Sequence, residues 1–180
     1  MTLATMDQTG ILMRVRDLPR AAFVDRFGGV FEHSPWVAEA AFDAGLDDAC
    51  DTATGLHELM SRAMMAGDDV KKLALIMAHP DLAGRLARAG RLTAESTKEQ
   101  ASAGLDQLTD EERARFTELN DAYKARFGFP FIMAVKGRSK GEIMAAFERR
   151  IAHDRDQEFA TALTEISRIA LLRLGDMLPG

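Results

Sequence analysis

The sequence has little of what several protein classes require. It contains one cysteine, Cys50, which can form neither an internal disulfide nor a thiolate metal site, so a reducing compartment is favoured. No apolar stretch approaches the ~20 residues that span a bilayer. The net charge is -5 and no Lys/Arg cluster is present, so neither nucleic acid nor an anionic membrane surface is expected as a partner. The N-terminal residues lack signal-peptide features and the C-terminal residues are no peroxisomal tripeptide, so we expect a cytoplasmic protein.

What the sequence has in abundance is helical periodicity. Residues 56–64 place apolar side chains at i, i+3, i+4, i+7 and i+8, which is typical of an amphipathic helix. Capping boxes that begin at Thr109 and Ser139 predict the starts of two more helices. The only candidate strand, residues 129–135, contains Pro130, which is disfavoured in a central strand.

These patterns predict an all-α protein, a single-domain bundle of about eight to nine helices. The domain is expected to span residues 14–177, after a loose N-terminal segment, residues 1–13. One irregular apolar loop is expected near residues 129–136, between two helices. No linker is long enough to divide the chain into two domains.

Common catalytic motifs are missing: there is no phosphate-binding loop, dinucleotide fingerprint, nucleophile elbow or zinc-binding HExxH. The four histidines show no metal-ligand spacing, so no metal is expected. His79 is distinctive because Pro80 forces a helix break directly after it. It is a candidate acid or base, and the alternative is that it only caps a following helix.

A polar cluster at residues 96–100 allows two interpretations. Ser96 and Glu99 fit a capping box, which has a purely structural role. The same helix start could instead direct backbone N–H groups and polar side chains toward an anion or an amide.

Two further segments also allow alternatives. Arg173 lies near the edge of the apolar stripe of the last helix, where it either extends to solvent or holds a guanidinium inside a pocket. Residues 128–132 combine apolar side chains with irregular backbone, which suits either the core or a ligand rich in amides.

Taken together, these segments carry a resemblance. Residues 31–36 (FEHSPW), 79–84 (HPDLAG), 96–100 (STKEQ), 128–132 (GFPFI) and Arg173 with Leu174 occur in one order. This order resembles the 2-oxo-4-hydroxy-4-carboxy-5-ureidoimidazoline (OHCU) decarboxylase family of urate degradation. The resemblance covers nearly the whole chain.

The resemblance implies an all-helical lyase that needs no cofactor, forms a homodimer and converts OHCU to (S)-allantoin and CO2. It implies His79 and Glu99 as catalytic residues. The substrate-binding residues that it implies are Pro80, Ser96, Thr97, Lys98, Glu99, Gln100, Phe131, Ile132, Met133, Ala134, Val135 and Arg173. His33 and Trp36 match a further motif, which we interpret as structural.

Two other functions are weighed against this one. A different ureide-processing enzyme, a hydrolase or a racemase, could use the same histidine, glutamate and arginine. A helical adaptor without enzymatic activity could bind a partner helix through methionine-rich faces, which are adaptable. Met60, Met64 and Met77 occur at helical spacing, however, which is more simply explained by a core position.

Overall fold

The computed structural model describes residues 14–84, 90 and 92–180. Within this part of the chain there are eight α-helices, two short 3-10 helices and no strand. The helices are α1 (Arg20–Phe27), α2 (Trp36–Asp43), α3 (Ala53–Ala66), α4 (Asp69–Ala78), α5 (Ala94–Ser102), α6 (Asp110–Phe127), α7 (Lys140–Arg150) and α8 (Arg155–Gly175). None of these described helices is long and apolar enough to cross a membrane. The predicted all-α class is confirmed, and the predicted N-terminal segment, residues 1–13, lies outside the described residues. Met60 and Met64 are buried as predicted, whereas Met77 is 54% exposed, so its predicted core position is wrong.

Local sequence determines where α6 and α7 begin. The hydroxyl of Thr109 accepts a hydrogen bond from the backbone N–H of Glu112, and the Glu112 carboxylate accepts one from the backbone N–H of Thr109. Ser139 and Glu142 form the same reciprocal pair at the start of α7. α6 ends at Gly128, whose φ of 81° is a left-handed conformation that glycine adopts without a Cβ clash. Both predicted capping boxes are therefore confirmed.

The chain divides into two compact units, and the division falls inside α4 and α8. The first unit contains described residues up to Leu75 together with Ser167–Gly180. Its core includes the fully buried rings of Phe23 and Phe27, whose centroids lie 5.0 Å apart. The backbone N–H of Ala53 donates to the carbonyl of Pro179 at 2.7 Å, which ties the C-terminal residues to the start of α3.

The second unit, Ile76–Ile166, is built around aromatic side chains. Tyr123 of α6 is fully buried and contacts four phenylalanine rings at centroid distances of 4.6–6.2 Å. Phe131 stacks on Phe147 of α7, with centroids 3.7 Å apart and planes 17° apart. Such clusters contribute more than their buried area alone, because ring edges and faces attract one another.

The segment between α6 and α7 is irregular, as predicted. Residues 128–139 form neither helix nor strand. Phe129, Phe131 and Ile132 are nevertheless at most 3% exposed. A backbone without regular structure is thus held inside the second unit, and its polar groups need partners.

Candidate active site

His79 is buried directly after the last residue of α4. The helix ends at Ala78, since the residue before Pro80 is disfavoured in helical geometry. His79 is 8% exposed. Residues 80–84 form a turn, so the interpretation of His79 as the N-cap of an immediately following helix is wrong. His79 instead follows the C-terminal end of α4, where its backbone N–H donates to the carbonyl of Ile76 at 3.2 Å.

The turn after α4 is held by side chains from two later helices. Gln100 of α5 accepts, through Oε1, a hydrogen bond from the backbone N–H of Ala83 at 2.9 Å. Asn120 of α6 donates, through Nδ2, to the carbonyl of Leu82 at 2.8 Å. The turn that begins at His79 is therefore fixed to α5 and α6 through its backbone.

α5 does not begin where a capping box formed by Ser96 and Glu99 would place its start. The helix begins at Ala94, and the hydroxyl of the N-cap residue Thr93 accepts from the backbone N–H of Ser96 at 3.2 Å. Ser96 is thus inside the first turn and Glu99 is in the middle of the helix. The interpretation of this pair as a capping box is wrong, because the helix starts two residues before Ser96.

The polar side chains of α5 lie on two different faces. Ser96 and Gln100 are 4% and 6% exposed, and Glu99 is half-buried beside them at the i+3 position. Thr97 and Lys98 are exposed. Only the first three belong to the face that packs toward the protein interior, where the turn after α4 contacts Gln100.

The apolar loop is anchored at two backbone groups. The guanidinium of Arg150 donates to the carbonyl of Ile132 at 2.7 Å, and the carboxylate of Glu165 accepts from the backbone N–H of Ala134 at 2.9 Å. Arg150 and Glu165 are 5% and 7% exposed. Two charged side chains therefore fix alternate residues of the loop.

The residues that flank and separate these two anchors have a different arrangement. Among the described residues, no hydrogen bond involves the backbone N–H or carbonyl of Phe131 or Met133. The side chain of Phe131 packs on Phe147, and the carbonyl of Val135 accepts from the next turn. Buried backbone groups of this kind can bind a ligand rich in amides.

Arg150 belongs to a buried ionic network. Its guanidinium donates to both carboxylate oxygens of Glu158, at 2.8–3.2 Å, and lies 4.3 Å above the ring of Phe131. The hydroxyl of Tyr123 also donates to Glu158, and Nδ1 of His153 lies 2.7 Å from the same carboxylate. The side chains of Glu158 and Arg150 are 0% and 6% exposed, so the pair is almost completely removed from water.

The protonation of this network follows from its burial and its charges. Burial alone would raise the pKa of Glu158, but hydrogen bonds from Arg150 and Tyr123 hold that pKa below its ordinary value. Burial and the Glu158 carboxylate raise the pKa of Tyr123 far above its ordinary range. The glutamate is therefore ionised and the tyrosine is a neutral donor.

Arg173 lies in the first unit and is buried. Its guanidinium donates to the carboxylate of Glu32 at 2.9 Å and to the carbonyl of Val30 at 3.2 Å. Arg173 and Glu32 are 7% and 2% exposed, so the interpretation that Arg173 extends to solvent is wrong. His33, next in sequence, is exposed and has a φ of 46°.

The structure thus gathers part of the predicted site. Within the second unit, the turn after His79 contacts α5 through Gln100, and the loop at 131–135 packs against α6 and α7. Within the described residues, no group of three or more His, Cys, Asp or Glu side chains could hold a metal ion. Sequence analysis missed the residues that support these segments, which are Glu32, Asn120, Arg150, Glu158 and Glu165. A signal existed for two of them: Glu158 and Glu165 are spaced seven apart on α8, in the same buried row as Ala162.

Comparisons with known proteins cover nearly all of the chain. A family model described as OHCU decarboxylase matches residues 16–175. A 2-oxo-4-hydroxy-4-carboxy-5-ureidoimidazoline decarboxylase of Halalkalicoccus jeotgali is 44% identical over 168 residues, which are 92% of this chain and 92% of the relative. The mouse protein of the same name is 34% identical over 171 residues, which are 93% of this chain and 92% of the relative. A crystal structure of (S)-allantoin synthase superimposes with a TM-score of 0.71 at 33% identity, covering 92% of this chain and 54% of that one.

Proposed function

Since this chain belongs to the OHCU decarboxylase family, we propose that it is a carboxy-lyase of urate degradation. It converts 2-oxo-4-hydroxy-4-carboxy-5-ureidoimidazoline to (S)-allantoin and CO2. The observation that carries this proposal is the 44% identity to a decarboxylase of that name over 92% of both chains. The buried histidine after α4 supports it, because this reaction needs a proton at one defined position.

The reaction can proceed without a cofactor. When CO2 leaves, the electron pair of the broken C–C bond moves toward the ring and is accepted by the neighbouring C=N bond of the substrate. The C=N bond of the substrate is therefore the electron sink, which other decarboxylases obtain from a cofactor. The protein has to bind the substrate rigidly and control two proton transfers.

His79 and Glu99 carry those transfers in our proposal. Both bind the hydroxyl and carboxyl end of the substrate. As CO2 leaves, Glu99 relays the hydroxyl proton to the ring nitrogen that has accepted the electron pair of the C=N bond. The resulting enolate is protonated at the adjacent ring carbon, the one bearing the ureido group. His79 donates that proton to one face only, which makes the product chiral.

The ureido group and the ring are held by α5 and the apolar loop. Ser96 and Gln100 offer complementary donors and acceptors for the ureido group, beside Pro80. Backbone groups of residues 131–135 bind the ring. The N–H and carbonyl groups of Phe131 and Met133, which form no hydrogen bond within the described part of the chain, support this assignment. Thr97 and Lys98 are proposed as substrate contacts on the resemblance alone.

Arg173 is proposed to bind a carboxylate or ureide oxygen of the substrate. Glu32 and Val30 support this role, because their bonds fix the plane of the guanidinium. Replacing Arg173 with lysine is expected to raise KM by about 10-fold or more, since an ammonium cannot reproduce the forked geometry. KM from initial rates measures this effect.

Arg168→Lys on the exposed side of α8 is the matched control and should leave KM within about twofold of the wild-type value. A thermal midpoint for each variant separates loss of folding from loss of binding. An Arg173→Lys enzyme with wild-type KM would refute a bidentate contact with the substrate.

The experiment that tests the function follows circular dichroism during urate breakdown. Urate oxidase and hydroxyisourate hydrolase generate OHCU, which decays by itself to racemic allantoin. With this protein present, an (S)-allantoin signal should grow rapidly, together with faster CO2 release. An optically silent decay at the same rate with and without the protein would refute the decarboxylase, and favour the ureide hydrolase or racemase or the adaptor.

Two finer assignments complete the proposal. We propose a homodimer, on the resemblance, and light scattering during gel filtration should give twice the 19.8 kDa of one chain. A mass of one chain would refute it. We also propose a cytoplasmic location, supported by the single, buried cysteine.

A further inference from the structure

The turn after α4 contains a strained residue. Ala83 has a φ of 52°, a left-handed conformation that brings the Cβ of a non-glycine residue close to its own backbone. Such conformations persist only where surrounding contacts over-determine them, and they are concentrated at functional sites. The turn begins at His79, so the contacts that enforce its conformation bear directly on the position of that residue.

Three consecutive residues of the turn are held from outside it. Nζ of Lys124 lies 2.6 Å from the carboxylate of Asp81, and Nδ2 of Asn120 donates to the carbonyl of Leu82 at 2.8 Å. The N–H of Ala83 is bound by α5. Lys124 and Asn120 are four residues apart on α6, so they project from one face of that helix.

Asn120 is unusual because, within the described residues, only the Nδ2 group of its side-chain amide forms a hydrogen bond. The residue is 3% exposed, and its Oδ1 has no hydrogen-bond partner among the described residues. An unpaired buried acceptor costs stability, and a leucine of similar volume would avoid that cost. A leucine could not donate to Leu82, however, so the Nδ2 bond is what the asparagine contributes.

We propose that Asn120 and Lys124 are positioning residues that hold the turn carrying His79. This inference rests on the proposed decarboxylase function. Neither residue needs to touch the substrate. Their bonds to Leu82 and Asp81 fix the backbone of the turn that follows His79, the proposed proton donor. Because proton transfer depends on donor position to within about 1 Å, loosening the turn lowers kcat more than it raises KM.

The decisive variant is Asn120→Asp. Ionised, the new carboxylate presents only acceptors to the Leu82 carbonyl, and kcat should fall on the order of 10- to 100-fold. Protonated, its O–H restores the donor, and burial raises the pKa of such a carboxyl. The ratio of variant to wild-type kcat should therefore increase as pH is lowered, with KM within about threefold of wild type throughout.

Two controls accompany this profile. Asn120→Leu keeps the volume without the donor, so its kcat ratio should stay low at every pH. Asp121→Asn changes the exposed neighbouring position and should match the wild type. Initial rates of (S)-allantoin formation are measured after subtraction of spontaneous decay, and the far-ultraviolet spectrum checks that each variant is folded.

The outcomes separate this inference from the function on which it rests. If the wild type forms no (S)-allantoin, the proposed function fails whatever the variants do. If the wild type is active and Asn120→Asp keeps wild-type kcat, or loses it equally at every pH, the positioning role is overturned. Should Asn120→Asp not fold, Lys124→Met carries the test, since that side chain is 34% exposed: a kcat loss of about threefold or more supports the role, and an unchanged kcat overturns it.

Discussion

Replacing His79 with alanine is expected to lower kcat for OHCU decarboxylation by about 10²- to 10⁴-fold, the usual contribution of a general acid. His79 is buried directly after the C-terminal end of α4. Without it, solvent must protonate the intermediate from either face. The residual allantoin should therefore approach a racemic mixture, while KM changes much less than kcat.

The measurement combines rate and handedness. Coupled urate breakdown gives the rate from absorbance and the enantiomeric excess from circular dichroism. His33→Asn is the matched control, because His33 is exposed and asparagine tolerates its φ of 46°. Near-wild-type turnover and stereoselectivity in His79→Ala would show that another group donates the proton.

The second large effect concerns stability. Arg150→Met is expected to lower the free energy of unfolding by about 3–5 kcal/mol, the usual result of leaving one buried ion without its partner. Glu158 has no solvent exposure, and Arg150 supplies three of its hydrogen bonds. The same substitution also removes the donor to the carbonyl of Ile132.

Urea unfolding followed by circular dichroism measures this loss. Arg149→Met is the matched control on the exposed side of α7 and should change stability by no more than about 0.5 kcal/mol. Adding Glu158→Leu to Arg150→Met should recover part of the loss, because removing both ions is less costly than removing one. Equal midpoints for Arg150→Met and Arg149→Met would refute the importance of the network.

The parts of the structure that sequence analysis predicted are those determined locally. The starts of α6 and α7 depend on Thr109 and Ser139, each of which contacts a residue three positions away. The irregular segment after Gly128 was predicted because its proline and its apolar composition disagree with a helix. The end of α4 was predicted because Pro80 acts on the residue directly before it.

What could not be predicted depends on contacts between distant positions. Glu32 and Arg173 are 141 residues apart, and only the fold brings them within 2.9 Å. The sequence alone allowed Arg173 to extend to solvent or to be buried, and the structure shows that it is buried beside Glu32. The capping box predicted at Ser96 and Glu99 was wrong for a local reason: Thr93, three residues earlier, is also a good N-cap and is the one that the structure uses.

The loop between α6 and α7 has a consequence for changing the specificity of the enzyme. The side chains of this loop pack in the protein interior. Phe131, for example, packs against both the ring of Phe147 and the guanidinium of Arg150. If the ring of the substrate is recognised by the main chain here, point substitutions alter the hydrophobic interior and leave the recognising groups unchanged. A library that seeks new substrates should therefore vary the length of this connection, since insertions and deletions move main-chain donors and acceptors.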